Sequence, residues 1–334
     1  MNNPLLDSFI KHQINIDRFS NYEAQRLLKI LDQAIIQAKD IVSKTNGIET
    51  KARYERVLSN MRTLSGMLNE KLYEIIESDF KGLARIETQF ISKVLKANGI
   101  TVNLEMPPVE KLWAAASNDN YADTHEKFKD YINGLSKCFY ETWSTNIRAG
   151  WLNGMTAAQI TRNVLGSVDN INLDAKEMKK LRNSLKMNSK TMIAEMATTA
   201  RHETYNANSS LFSGYRYIGV LDDRQCLLCG SMDQRLFKTL GDMPHLPQHR
   251  SCRCIALPEV RGLENYDPDD TRAAMDGPEK ASTSYADWLA KQDAETQKDI
   301  LGKSRYELYK NGLPITKFID NGKMIKLKDL EKNL

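Results

Sequence analysis

The chain has 334 residues, 41% of them hydrophobic and 27% charged, which supports a buried core and, on length, two or three domains. Its 47 basic and 43 acidic residues leave a net charge of +4, too small a surplus to argue for nucleic-acid binding. No apolar run reaches about 18 residues and the opening MNNPLLDSFIKHQ has no basic-then-apolar pattern, so neither a membrane span nor an export signal is expected.

The N-terminal two-thirds carries helical periodicity. Ser20 and Glu23 have the spacing of a capping box, and Leu27, Leu28, Leu31, Ile35, Ala38 and Val42 follow at helical intervals. Asn46-Gly47 reads as the stop. A second apolar stripe, Val57, Met61, Leu64, Leu68, Leu72, Ile75, Ile76, Leu83, Ile86, Phe90 and Val94, predicts a helix from Lys51 to Ala97. Unbroken, it would be roughly 70 Å long; a break at Ser65-Gly66 or Lys81-Gly82 is the equal alternative. Asn98-Gly99 ends it and Pro107-Pro108 marks a boundary.

Residues 109–215 are again helical, with capping boxes at Thr156–Gln159 and Asp174–Glu177. Residues 189–212 are rich in Ala and Met, and a methionine stripe of this kind is more often core than binding surface. From Gly214 the texture changes, and SGYRYIGVLD predicts a short strand. Residues 262–284, rich in Gly, Pro and Asp, read as a loop or linker. Helices are expected around Tyr285–Gln297 and Ser304–Asn311, then a hairpin at 318–325 with Asn321-Gly322 as its turn. The predicted fold class is mainly α: long N-terminal helices, a small zinc-stabilised α+β module, and a C-terminal helix/hairpin unit. The expected segments are a helical arm or bundle (1–104), a helical middle domain (105–215), a zinc-binding module (216–260), and a linker with the C-terminal unit (261–334).

Four of the five cysteines fall within 226–254, in the order Cys226-x2-Cys229, nineteen residues, His249-x2-Cys252-x-Cys254. A disulfide framework would be spread differently and need a secretory route; reduced thiols made in the cytosol are expected instead. Two cysteines three apart on a turn can direct both sulfurs at one ion, and the His249/Cys252 pair repeats that geometry. The expected cofactor is therefore a zinc ion. Cys226, Cys229, His249 and Cys252 are the favoured ligands, and Cys254 is the alternative to Cys252. Arg250 and Arg253 are expected to lower thiolate pKa values. Sulfur-rich sites that saturate zinc are structural, so no catalytic residue is assigned. Asp222, Asp223, His245 and Glu259 lie near enough to keep a hydrolytic or nuclease site as the alternative. Asp222 and Arg224 are expected to shape the turn before Cys226. Arg201 either anchors the module or reaches a partner or phosphate.

The wording of the cluster, AspAspArgGlnCysLeuLeuCys at 222–229 and ProGlnHisArgSerCysArgCys at 247–254, resembles the phage Mu protein F-like head morphogenesis family. Ala200-Arg201-His202-Glu203 upstream is similar to that family's Ala-Arg-x-Glu helix, with Asn206 or Asn208 as the asparagine that follows. TyrAlaAspTrpLeuAlaLysGln at 285–292, LeuGlyLysSerArg at 301–305 and TyrLysAsnGly at 309–312 keep the family's order. Val220 or Leu221 stands where the family often has Trp, and Gln248 where a second Pro is common. The resemblance spans about residues 150–334. It implies a minor head protein of the virion, made in the host cytoplasm and bound at the portal vertex, in the capsid interior. It would act in capsid assembly, DNA packaging or ejection, with portal protein, capsid or other ejection proteins as partners and contact with packaged DNA. A metal-dependent nuclease or delivered effector enzyme is the alternative.

Overall fold

The structure, a computed structural model, describes residues 4–44, 50–118, 127–166, 176–262, 270–320 and 323–330. It is mainly helical. The long helices come first: α1 (Pro4–Ser43), α2 (Lys51–Ala97), α3 (Val109–Asn118), α4 (Phe128–Leu152), α5 (Ala157–Leu165) and α6 (Lys176–Ala207). Two compact units share them. A sheet unit takes Met1–Asp17, Arg85–Pro108 and Ala197–Leu334, and a helical unit takes Arg18–Ala84 and Val109–Met196.

Helix α1 starts well before the cap expected at Ser20. Leu5, Leu6, Phe9, Ile10 and Ile16 extend the buried stripe backward, so Ser20 and Glu23 sit buried inside the helix rather than at its start. No Pro or Gly interrupts that stretch, and side-chain capping has no free N–H groups to serve there. Glu23 instead faces Arg26 (3.2 Å), which also reaches Asp79 (2.7 Å). Burial, with a hydrogen bond to Asp79, pushes the Glu23 carboxyl up to about 7. The folded state therefore holds a proton that the unfolded chain releases near pH 4.5. Stability must fall as pH rises through the window from about 4.5 to 7. Glu23→Gln is expected to flatten that slope and stabilise the protein above pH 7. Urea titrations at pH 5 and pH 8 read this, and an unchanged slope would count against it.

Helix α2 runs unbroken for 47 residues. Each internal glycine costs about 1 kcal/mol, but Met61, Leu64, Leu68, Leu72, Ile76, Phe80 and Leu83 are all buried around Gly66 and Gly82, which outweighs the loss. The Ser65 hydroxyl donates to the Ser136 carbonyl at 2.7 Å. Asn98-Gly99 ends the helix as expected: Gly99 has φ +77, and the Ile100 N–H closes on the Leu95 carbonyl at 3.0 Å. Thr156 caps α5 with both halves of a capping box formed. Met192 and Met196 are buried, so the methionine stripe is core. Asn46-Gly47 and Asp174 lie outside the described residues.

In the sheet unit, β1 (Phe212–Ile218) is followed by α7 (Leu227–Met232), β2 (Leu236–Phe237) and β3 (Ile255–Val260). Strand β1 is central and antiparallel to both neighbours, with Tyr217 opposite Ala256 and Tyr215 opposite Phe237. Leu6, Phe9 and Ile10 of α1, Ile91 and Leu95 of α2, and Tyr205 of α6 share one core with Tyr217, Ile255 and Leu257 of the sheet. The segment carrying the Cys/His cluster thus shares its core with one end of α1, of α2 and of α6.

Residues 270–284 are not the expected linker. Strands β4 (Thr271–Ala274) and β5 (Gly277–Lys280) form a hairpin with Asp270 and Arg272 buried, while 263–269 lie outside the described residues. The helix expected around Tyr285–Gln297 divides into α8 (Tyr285–Lys291) and α9 (Ala294–Leu301), because Asp293 turns extended and caps a new helix through the Thr296 N–H. Helix α10 (Lys303–Lys310), the pair β6 (Ile319–Asp320) and β7 (Lys323–Met324), and α11 (Leu327–Leu330) complete the chain. The strands of the expected hairpin are present; its turn, Asn321-Gly322, lies outside the described residues. Tyr285, Trp288, Leu289, Leu301, Ile315 and Phe318 form a second core here.

Candidate metal centre

Two turns bring the donors together. After β1, the Asp222 carboxylate accepts from the Arg224 N–H at 3.1 Å and fixes the bend. Cys226 then caps α7, its Sγ accepting from the Cys229 N–H at 3.4 Å. That places the first cysteine just outside a helix and the second in its first turn, with both sulfurs on one side. Gly230 follows because a Cβ there would stand 2.3 Å from the Tyr285 ring. On the other stretch, the His249 carbonyl accepts from the Cys252 N–H at 3.0 Å, and Ser251 takes φ +60. Cys254 comes immediately before β3.

His249 Nε2 lies 3.1 Å from Cys226 Sγ and 3.2 Å from Cys229 Sγ, and Cys229 Sγ lies 3.8 Å from Cys252 Sγ. The last distance matches the edge of a tetrahedron of sulfurs about 2.3 Å from its centre, roughly 3.8 Å. The five donors fall into two triads, Cys226–Cys229–His249 and Cys229–Cys252–Cys254, each with ligand atoms within 4.8 Å of one another. Cys229 belongs to both. All five expected ligands therefore meet in one place, and the cluster is compatible with a bound metal ion. His245 is in neither triad.

The surroundings prepare those atoms. His249 Nδ1 faces the Arg250 carbonyl at 2.9 Å. Donation to that carbonyl fixes the tautomer that leaves Nε2 as a ligand. Gln225, buried, accepts from the Val220 N–H through Oε1 (3.2 Å) and donates from Nε2 to Cys254 Sγ (3.3 Å). The Tyr217 hydroxyl donates to Gln248 Oε1 at 3.2 Å, an oxygen that also lies 3.7 Å from Cys229 Sγ.

Crowded thiols cannot all ionise by themselves. Hydrogen bonding from Cys229, then from His249, pulls the Cys226 thiol down to about 5. The same contact with Cys226 raises His249 to about 9. Cys229 is driven upward by its hydrogen bonds to the other sulfurs, Cys226 foremost, and Cys254 by burial. A bound divalent cation would supply the positive charge that releases those protons. Of the two arginines expected to do this, Arg253 forms a bidentate pair with Asp222 at 2.6 and 2.7 Å while its charge also interacts with Cys254; for Cys226, Cys229 and His249 are what favour the thiolate.

Two of the three neighbouring carboxylates are engaged. Glu259 pairs with Arg216 at 2.6 Å and Asp222 with Arg253, and neither donor triad includes a carboxylate. Arg201 is 2% exposed and meets the Ala197 carbonyl (3.1 Å), Gln13 (2.9 Å) and Glu87 (3.3 Å). It anchors the sheet unit and is closed to a partner. Asn208 donates to the Glu105 carbonyl and accepts from its N–H, both at 2.8 Å, while Asn206 is exposed.

The sequence reading missed Gln225, Gln248 and Tyr217, whose roles depend on contacts across the sheet. It also missed the buried pair Asp233–Arg272, at 2.9 Å with both side chains fully enclosed. No family model, curated protein or solved structure matches the chain.

Proposed function

We propose that this chain is a phage minor head protein that acts at the portal vertex in capsid assembly, DNA packaging or ejection, and that its Cys/His cluster holds a structural zinc ion. The observation carrying the reading is that the two halves of the motif resembling the head morphogenesis family converge on one cluster, buried at Cys229, Cys252 and Cys254 and half-buried at Cys226 and His249, with the donors in the motif's own order. Four sulfurs and one imidazole nitrogen are more than enough to saturate a tetrahedral ion, and saturation favours architecture over catalysis. The ligands tie the start of α7 to the start of β3, so the ion closes a loop whose own apolar residues are few. The portal protein is the principal partner, with capsid or other ejection proteins and packaged DNA as further contacts. Long amphipathic helices such as α1 and α2 suit docking on a helical partner.

Mass spectrometry of purified particles, with electron cryomicroscopy of the portal vertex free of imposed high symmetry, tests the assignment. A few copies at that vertex are expected; a chain absent from particles and from assembling precursors contradicts it. A nuclease assay with magnesium is expected to be blank. Cleavage that His249→Ala abolishes would replace this reading with the metal-dependent nuclease.

A further inference from the structure

A net charge of +4 conceals an uneven distribution. Within the helical unit, α1 and α6 meet where Arg182 of α6 pairs with Asp32 of α1. Lys179 and Lys186 stand one helical turn to either side of Arg182, and Lys190 one turn beyond Lys186. At i, i+7 and i+11, these three fall within about 40° of one another around the helix and form a row about 16 Å long. Lys29 and Lys39 lie on the α1 side of the same seam, one turn before Asp32 and two turns after it. Lys190 is half-buried and the other four are exposed.

These five charges are uncompensated. Among the described residues none of them meets a carboxylate, because the acids of these two helices are already engaged. Asp32 is held by Arg182, Asp40 by Lys44 (2.6 Å), Glu177 by Lys180 (3.2 Å) and Glu23 by Arg26 (3.2 Å), while Glu195 is buried. Glu70 and Glu74 line the groove on the α2 side of α1 and so confine the basic face to the α6 side. Cations held together without counter-charges repel one another, and a polyanion relieves that repulsion.

The composition of the face selects which polyanion. Protein interfaces are depleted in lysine and centred on apolar anchors, whereas Ile36 is the one large aliphatic side chain exposed on these two helices among the described residues. Single strands are held by stacking successive bases on aromatic rings. Tyr22, 65% exposed, is the only exposed aromatic here. Lysine is a point charge suited to phosphate. Two rows of it on helices whose axes lie about 8–10 Å apart match a ladder of phosphates read without regard to sequence.

We infer that the α1/α6 face of the helical unit binds the phosphate backbone of double-stranded DNA, through Lys29 and Lys39 on one row and Lys179, Lys186 and Lys190 on the other. The choice of DNA rests on the proposed role in the virion; the basic face itself does not.

The test uses the full chain and a fluorescein-labelled, mixed-sequence duplex of about 30 base pairs, read by anisotropy between about 50 and 200 mM salt. Saturable binding is expected, with log K falling against log salt at a slope of about −4.5 for five phosphate contacts. The triple variant Lys179→Gln/Lys186→Gln/Lys190→Gln should bind about tenfold or more weakly, with the slope reduced to about −2. Glutamine keeps the helix propensity of lysine, so circular dichroism should not change. Lys303→Gln/Lys310→Gln/Lys317→Gln removes the same charge from exposed positions of the sheet unit and should leave affinity within about twofold. Absence of binding, equal losses in the two triple variants, or tighter binding to the single strand, to duplex RNA or to polyglutamate overturns the inference. A chain that is present in particles and fails to bind overturns this inference alone. A chain that binds but is absent from particles and their precursors supports the surface and contradicts only the virion role.

Discussion

Cys229→Ser is expected to strip the chain of its metal and to open the segment from β1 to β3 to proteolysis. Cys229 is the donor common to both triads and is 1% exposed, so its loss leaves neither triad complete. Serine keeps the size of the side chain, which separates lost coordination from lost packing. A structural zinc site contributes on the order of 10 kcal/mol to folding, more than a typical domain's whole margin of about 5–15 kcal/mol can easily spare. Limited proteolysis with metal analysis reads the effect, and treating the wild-type chain with a chelator should reproduce it. The helical unit, with its own core around Leu31, Met61, Leu72 and Trp143, should keep most of its far-ultraviolet signal. A variant that keeps its metal and its protease resistance would refute this.

The second large effect is expected at Asp233–Arg272. Asp233 accepts from the Gly219 N–H (2.7 Å), the Tyr285 N–H (2.8 Å) and Arg272 (2.9 Å), and Arg272 donates to the Gly219 and Thr283 carbonyls at 2.7 and 2.9 Å. This one pair joins the end of β1, the β4–β5 hairpin and the start of α8. Asp233→Ala leaves a guanidinium enclosed without its counter-charge and should cost about 3–5 kcal/mol. Adding Arg272→Met removes the stranded charge, so the double variant should be more stable than Asp233→Ala alone. Urea unfolding measures both. A single variant costing less than about 1 kcal/mol would mean that the charge is not stranded.

Periodicity made most of the helical part readable. The stripe from Val57 to Val94 specified α2 because core burial along one face outweighs two internal glycines, and Thr156–Gln159 specified the cap of α5 because that interaction is local. Local reasoning failed where a residue's role was set by distant chain. Ser20 and Glu23 have cap spacing, yet the apolar residues before them carry α1 through. Residues 271–280 look like linker because Gly, Pro and charge dominate, but the Arg272 side chain finds Asp233 across 39 positions. Strand β3 went unread because IALPEV has no alternation: all six of its residues are buried, as a strand covered on both faces requires. In the candidate site, the spacing of Cys226, Cys229, His249, Cys252 and Cys254 was enough to bring the donors together. Gln225 on Cys254, and Gln248 with Tyr217 beside Cys229, were invisible because nothing in their own neighbourhood marks them.

Metal analysis combined with X-ray absorption on the purified full-length chain tests the central claim most directly. One zinc per chain is predicted, with sulfur neighbours at about 2.3 Å, a nitrogen at about 2.0 Å and no exchangeable oxygen. A chain that folds without a tightly held ion, or an ion with a water ligand facing solvent, would contradict it.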